Sequence, residues 1–251
     1  MNDLTPRRDP LLEELLAFGP VKVWSVLVTI LGDLTLKPGT YVTGPILSGL
    51  TSRIGVKPEA QRVALHRLKK DGWIEVKKVG RVSHYALSAY GRQETNAVQD
   101  RVFSRDAEMP TTCTLMVFED GASPAEQPGL IKVGNSVFVS ETPLPAVANA
   151  LQVIADLTGL PGWMRKAILP EEVTVGYSDL LSCLQRYEAS RADLPDYDKS
   201  VIHFLILHWW RRLVLSHSPH QARLMGADWA GHECRQVTLV WLEELRASVK
   251  S

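Results

Sequence analysis

Apolar residues recur at helical spacing over Pro58 to Lys70, PEAQRVALHRLKK. At 100° per residue, Ala60, Ala64, Leu65 and Leu68 fall on one side and face a core. Glu59, Arg62, His66 and Lys70 point the opposite way, with Val63, Arg67 and Lys69 at the flanks. Pro58 suits a first helical turn, where its missing N–H costs nothing. Asp71-Gly72 stops the helix, glycine supplying the positive φ of the stop. The pattern then switches to period two: Trp73 to Lys77 and Ser83 to Leu87 read as strands. Between them lies the tip Lys78-Val79-Gly80-Arg81, with the glycine a tight hairpin needs.

Upstream, Val21 to Leu34 is an apolar helix candidate, followed by the turn Lys37-Pro38-Gly39 and a short edge strand at Tyr41-Val42. Thr43 is placed to cap a second helix over Gly44 to Arg53, its hydroxyl taking an otherwise unpaired N–H. Ile54-Gly55-Val56 is the turn into the basic helix. Two short helices across a glycine-containing turn, then a hairpin, predict a winged helix-turn-helix.

After the hairpin, residues 91 to 110 are polar and read as a connecting helix or linker. Cys113 to Phe118 is a strand candidate ended by Glu119-Asp120-Gly121. Ala122 to Gly129 is too rich in Pro and Gly for a helix. Leu130 to Val133 and Ser136 to Ser140 flank Gly134-Asn135 as a hairpin, and Leu144 to Leu157 reads as a helix. Helices follow at Ser178 to Ala189, Tyr197 to Leu215 and Cys234 to Val249. The expected class is α+β: an N-terminal arm (1–20), a winged helix-turn-helix (21–93), a linker helix (94–110), a small ferredoxin-like α/β middle domain (111–176) and a helical C-terminal domain (177–251).

Charge sharpens this picture. Residues 57–92 hold nine Lys or Arg against three Asp or Glu, in a chain of formal net charge zero. A neutral protein that gathers cations on one helix and the next hairpin carries the electrostatic footprint of a nucleic-acid reader. Arg can make two hydrogen bonds to guanine, and an apolar side chain such as Val63 can touch a thymine methyl. Arg62 and His66 are therefore assigned to bases, and Lys77, Lys78 and Arg81 to phosphates. Thr43, Val63, Arg67, Lys69, Lys70 and Ser83 complete the candidate DNA-binding set. One such unit reads few base pairs, so a homodimer on a palindromic double-stranded operator is expected, joined by the apolar helices beyond Tyr177.

The start, MNDLTPRRDPLLEELLAFG, puts acids where a signal peptide needs an apolar segment. No apolar run approaches the roughly 18 residues of a membrane span. Cys113, Cys183 and Cys234 are odd in number and far apart, which argues against a disulfide framework. A cytoplasmic protein without membrane partner is expected.

A second polar cluster comprises His203, His208, Arg211, Arg212, His217, His220 and Arg223. As an effector site, Arg211 and Arg212 would take phosphate or carboxylate, with His208 beside them and Trp209 or Trp210 offering a flat wall. Equally, it is the basic edge of a core helix paired with acids such as Asp228 and Glu233. His232 and Cys234 lack zinc-ligand spacing, and there is no Walker loop, GxSxG or dinucleotide fingerprint. No cofactor, metal or catalytic residue is expected. The alternative class is a metal-dependent nuclease or nucleotide-processing enzyme using the hairpin for grip, with Asp120 as its carboxylate. An RNA-binding module is a third.

The stretches GDLTLKPGTYVTG and VALHRLKKDGWIEVKKVGRVSHYALSAYG resemble the N-terminal domain of the PaaX family of bacterial transcriptional repressors. HFLILHWWRRLVLSHSPHQARLMGADWAGHE, with its Trp229-Ala230-Gly231 turn, is similar to the family's C-terminal region. The loop Ala122 to Gly129 stands where the family has an arginine-bearing helix. The resemblance implies a dimeric, ligand-responsive repressor of a catabolic operon, released by a small-molecule effector of the acyl-CoA thioester type such as phenylacetyl-CoA.

Overall fold

The structure, a computed structural model, describes residues 9–105, 109–119, 129–141 and 149–249. The chain is mixed α/β, with two small antiparallel sheets among the described residues. It divides into two compact units. The first comprises Met1–Phe103, Cys183–Arg212 and Thr238–Ser251; the second comprises Ser104–Ser182 and Leu213–Val237. The units are discontinuous in sequence: much of the stretch read serially as a C-terminal domain groups with the N-terminal region.

The first unit opens with α1 (Pro10–Ala17), capped by the Asp9 carboxylate on the Leu11 N–H at 2.9 Å. There follow α2 (Val23–Leu34), β1 (Val42–Thr43), α3 (Gly44–Arg53), α4 (Pro58–Lys70), β2 (Ile74–Val79) and β3 (Val82–Leu87). The strands pair antiparallel in the order β1-β3-β2. Short helices α5 (Ala89–Asn96) and α6 (Gln99–Phe103) occupy the expected linker. Leu27, Ile30 and Leu31 of α2 share one core with Leu47 of α3, Leu65 and Leu68 of α4, and Ile74 and Leu87 of the sheet. Thr35, fully buried, stitches α2 to the sheet by donating to the Leu31 carbonyl at 2.7 Å and accepting from the Leu87 N–H at 2.9 Å. Gly91 lets α5 lie against the strand start, since a Cβ there would sit 2.2 Å from the Trp73 carbonyl oxygen.

The second unit holds β4 (Thr112–Phe118), β5 (Leu130–Lys132), β6 (Val137–Ser140) and β7 (Ala150–Asp156). Their order is β5-β6-β4-β7, every neighbouring pair antiparallel, so the first strand lies between the third and fourth. The expected helix over Leu144 to Leu157 is corrected here. Residues 144–148 lie outside the described residues, and Ala150–Asp156 is a strand paired along its whole length with β4. Helix propensity of Ala, Leu and Gln is a weak prior, and seven residues of strand pairing override it. Met116, Phe118 and Phe138 form this sheet's core, the two rings edge-to-face at 5.5 Å.

Beyond the sheet come α7 (Gly162–Ile168), α8 (Glu171–Arg186), α9 (Asp196–Val214), α10 (Pro219–Leu224) and α11 (Ala230–Val249). Neither α7 nor α10 is visible as apolar periodicity, but α10 has a sequence-readable start, a capping box of Ser218 and Gln221. Val201 to Trp210 of α9 are buried at every position, as an all-round apolar helix requires. Among the described residues, no helix is long and apolar enough to cross a membrane.

Candidate nucleic-acid interface

Helix α4 buries Ala64, Leu65 and Leu68 and exposes Arg62, Val63, His66, Arg67, Lys69 and Lys70. One position of the expected face is corrected: Ala60 is exposed, and Gln61 is buried in its place. Gln61 is satisfied by α3, its carbonyl accepting from the Thr51 hydroxyl at 2.7 Å and its amide donating to the Ser48 hydroxyl at 3.2 Å. A buried polar link of this kind fixes how the two helices cross. Only the spacing of polar residues on both helices could have hinted at it.

On the outer face, Arg62 reaches Glu59 at 2.9 Å, and Arg67 reaches Asp71 at 3.5 Å. The first pair is about three-quarters exposed on both sides (74% and 72%), so it is worth well under ~1 kcal/mol and is readily exchanged for a base edge. Val63, 69% exposed, stands apolar on the same surface.

Helix α4 packs on β2, so the outer face and the hairpin belong to one structure. The hairpin is longer than its pattern suggests. Lys78 and Val79 belong to β2, pairing with Ser83 and Val82, and only Gly80-Arg81 form the turn. Gly80 adopts φ 59°, which a two-residue antiparallel hairpin demands and a β-branched residue resists. Lys77, Lys78 and Arg81 are exposed, and Ser83 is half-buried beside Lys78. The Thr43 hydroxyl caps α3 by accepting from the Ile46 N–H at 3.4 Å.

Helix α3 is anchored from an unforeseen side. Arg53 at its end donates from Nε to Asp198 at 3.1 Å, and its Nη2 closes the ion pair. Asp198 is fully buried at the start of α9. The distance of 145 residues hides this contact from any local pattern.

The second cluster does not converge. Trp209 is buried, donates to the Leu15 carbonyl at 2.9 Å and lies under Arg212, whose guanidinium is 5.0 Å from the ring centre. Trp210 donates to the Val102 carbonyl at 2.8 Å. Both indoles are thus occupied by the fold and offer no open wall. His208 is 1% exposed and neither ring nitrogen has a partner. Burial, reinforced by Arg212 and Arg211, pushes its pKa down to about 4. Arg211 turns to α2, donating to the Thr29 hydroxyl at 3.2 Å.

His203 stays in the first unit and pairs with Asp33 at 3.1 Å, while His217, His220 and Arg223 belong to the second unit. His220 and Arg223 both bind Glu141, whose side chain is 4% exposed. Burial alone would raise that carboxyl, but hydrogen bonds from Arg223 and His220 outweigh it and hold it below the ordinary carboxylate range. His217 binds the Tyr177 hydroxyl at 2.8 Å. Asp228 pairs with Arg165 at 3.7 Å. Asp120 and 122–128 lie outside the described residues. Among the described residues, no group of three or more His, Cys, Asp or Glu is gathered to hold a metal ion.

Comparison with known proteins places these elements. The chain is 22% identical over 253 residues to the transcriptional repressor PaaX of Escherichia coli strain K12, covering 88% of this chain and 79% of that protein. Among solved structures, an uncharacterized protein from Mycobacterium tuberculosis aligns over 91% of this chain and 97% of its own, with 16% identity and a TM-score of 0.49. The family model described as PaaX-like protein matches residues 22–91, the span from α2 through the hairpin, so that segment is similar to the PaaX-like domain.

Proposed function

We propose that the chain is a sequence-specific, double-stranded-DNA-binding transcriptional repressor whose reading head is a winged helix-turn-helix. In this reading α3 and α4 are the helix-turn-helix, α4 enters the major groove, and β2 and β3 are the wing. The observation that carries it is the joint exposure of Arg62, His66 and Lys70 on α4 and of Lys77, Lys78 and Arg81 on the adjoining hairpin, over a continuous core. Repression is the role named for the Escherichia coli relative, and the matching domain lends it to this chain. The middle sheet, with β4 lying between β6 and β7, supports the ferredoxin-like reading of the second unit.

Two such heads on one palindrome need a dimer. Val201 to Trp210 of α9 are buried and offer little surface to a partner. Apolar side chains are exposed on the edge strand β7 and beside it on β4, where Leu151 is 63%, Val153 44% and Val117 40% exposed and Leu151 pairs with Val117. We place the dimer contact there. A small-molecule effector that prefers the conformation unable to seat both heads completes the repressor reading, with linkage of about 1–3 kcal/mol.

The role assignment is tested by two substitutions. Arg62→Ala is expected to cost about 1–3 kcal/mol at the specific site and to relax preference at one base pair. Lys78→Ala is expected to weaken specific and random duplex alike and to reduce the salt slope by about 1. Fluorescence anisotropy over a salt series reads both. A common loss factor for the two variants on both duplexes refutes the division into base readers and phosphate clamps.

A further inference from the structure

Strand alternation sorts the hairpin into two faces. Ile74, Val76 and Lys78 of β2 share one face with Ser83, Tyr85 and Leu87 of β3, and Ile74 and Leu87 join the core on that side. The other face carries Glu75, Lys77 and Val79 opposite Ala86, His84 and Val82. Past Lys77 and His84 this outer face turns apolar. Val79 and Val82 are the last pair of the ladder, directly opposite each other, and are 53% and 37% exposed. A cross-strand valine pair supports a hairpin. Threonine has the same branched shape and brings a hydroxyl for solvent or phosphate, so valine at both places points to an apolar surface that meets the tip.

Between the valines the chain reverses in two residues, Gly80 at φ 59° and Arg81. Arg62 and Arg67 of α4 have acidic partners on their own helix or at its cap. Arg81 is exposed and has no ion-pair partner among the described residues. The tip therefore presents one guanidinium between two apolar shoulders. Cations alone suffice for phosphates, and Lys77 and Lys78 supply them on the same hairpin. Valine gains nothing against a hydrated phosphate.

The minor groove of DNA offers the matching surface. Its walls are deoxyribose C–H groups, and its floor at A·T pairs holds the adenine N3 and thymine O2 acceptors. Where A·T pairs run together the groove narrows and its negative potential deepens, which draws arginine in. A G·C pair puts the guanine 2-amino group on that floor, where it meets the guanidinium donor to donor. At about 6 Å across, the groove is too narrow for a helix but admits a side chain at a turn.

We propose that the hairpin tip enters the minor groove beside the segment read by α4. Arg81 donates to adenine N3 and thymine O2, Val79 and Val82 lie against the sugars, and the chain thereby selects A·T pairs flanking its motif. This rests on the reading of α4 as the major-groove helix, and it gives Arg81 a role apart from Lys77 and Lys78.

The test uses the full chain and a duplex recovered by selection from a randomised pool, rebuilt with its flanking pairs as A·T, G·C or inosine·C. Inosine is guanine without the 2-amino group, so it keeps the major-groove edge of G·C and gives the minor groove of A·T. Fluorescence anisotropy is expected to rank A·T and inosine·C flanks together, about tenfold above G·C. Arg81→Ala is expected to bring the three flanks to one affinity, and Lys78→Ala to lower all three by one factor. Val79→Thr combined with Val82→Thr is expected to weaken binding with the salt slope unchanged, since no charge is removed. Each replaced side chain is exposed, so the variants keep the fold. Equal wild-type affinity for the three flanks overturns the proposal, as does a G·C penalty that inosine leaves in place or that survives in Arg81→Ala. A double threonine variant that binds as wild type does overturns the sugar contact. A pool in which no motif is enriched sinks the repressor reading and this assignment with it; an enriched motif with indifferent flanks sinks this assignment alone.

Discussion

Replacing Arg53 by alanine is expected to remove about 3–5 kcal/mol of stability, although Arg53 lies at a helix end and keeps 22% of its side-chain exposure. The reason is its partner. Asp198 is 0% exposed, and its second carboxylate oxygen has no hydrogen-bond partner. Without the guanidinium the fold must keep an uncompensated buried charge or give up the packing around it. At 2–4 °C per kcal/mol for a chain of this size, Tm should fall by roughly 6–20 °C. The double replacement Arg53→Met with Asp198→Leu should recover most of that loss, because buried ion pairs contribute little net energy against apolar groups of similar shape. A single variant within about 1 kcal/mol of wild type would show that the pair is not the anchor described. The consequence reaches function, since Arg53 closes α3 and α3 holds Gln61 of α4 through Thr51 and Ser48.

Acid is expected to act chiefly through His208. Its pKa is about 4 in the fold and 6.5 for an ordinary histidine, so burial favours the neutral ring, with Arg212 and Arg211 adding to the effect. For a group depressed on folding, the contribution to stability is complete above the unfolded value. It is lost as pH falls from 6.5 toward 4, because the unfolded chain takes up a proton that the folded chain refuses. The loss amounts to about 3 kcal/mol across that window. His208→Phe should flatten the dependence and raise stability even at pH 7, since neither ring nitrogen is hydrogen-bonded and nothing polar is forfeited. Urea unfolding at intervals between pH 7 and pH 4 reads both effects. Identical slopes for wild type and variant in that window would contradict the assignment.

What could be read in the sequence was local. The Thr43 cap, the proline at the start of α4, the Gly72 stop at φ 77° and the strands after it are each set by residues within a few positions of one another. The apolar sides of α2 and α4 follow from the helical repeat, and the exposed cations follow from what that repeat leaves outside. The errors arose where a distant partner decides. Gln61 is buried because Thr51 and Ser48 satisfy it, and Ala60 is displaced outward. The strand β7 exists because β4 offers it an edge, which the composition of ALQVIAD does not disclose. Trp209 and Trp210 looked like ligand walls because aromatic and basic residues adjoin them in sequence. In the fold their N–H groups are spent on the carbonyls of Leu15 and Val102, more than a hundred residues away. Nothing in the helical repeat separates Arg211, which turns to Thr29, from Arg212, which lies over the Trp209 ring.

In the proposed function a pair of these chains reads double-stranded DNA by sequence through α4 and grips it through the hairpin. Selection from a pool of randomised duplexes by the purified chain, followed by sequencing, tests it most directly. A twofold-symmetric motif is expected to be enriched, its half-sites about one helical turn or a multiple apart, with recovered duplexes intact. Enrichment should fade when Arg62 is replaced by alanine and persist, at lower yield, when Lys78 is replaced. A pool that stays uniform through successive rounds, or duplexes recovered cleaved, would contradict it.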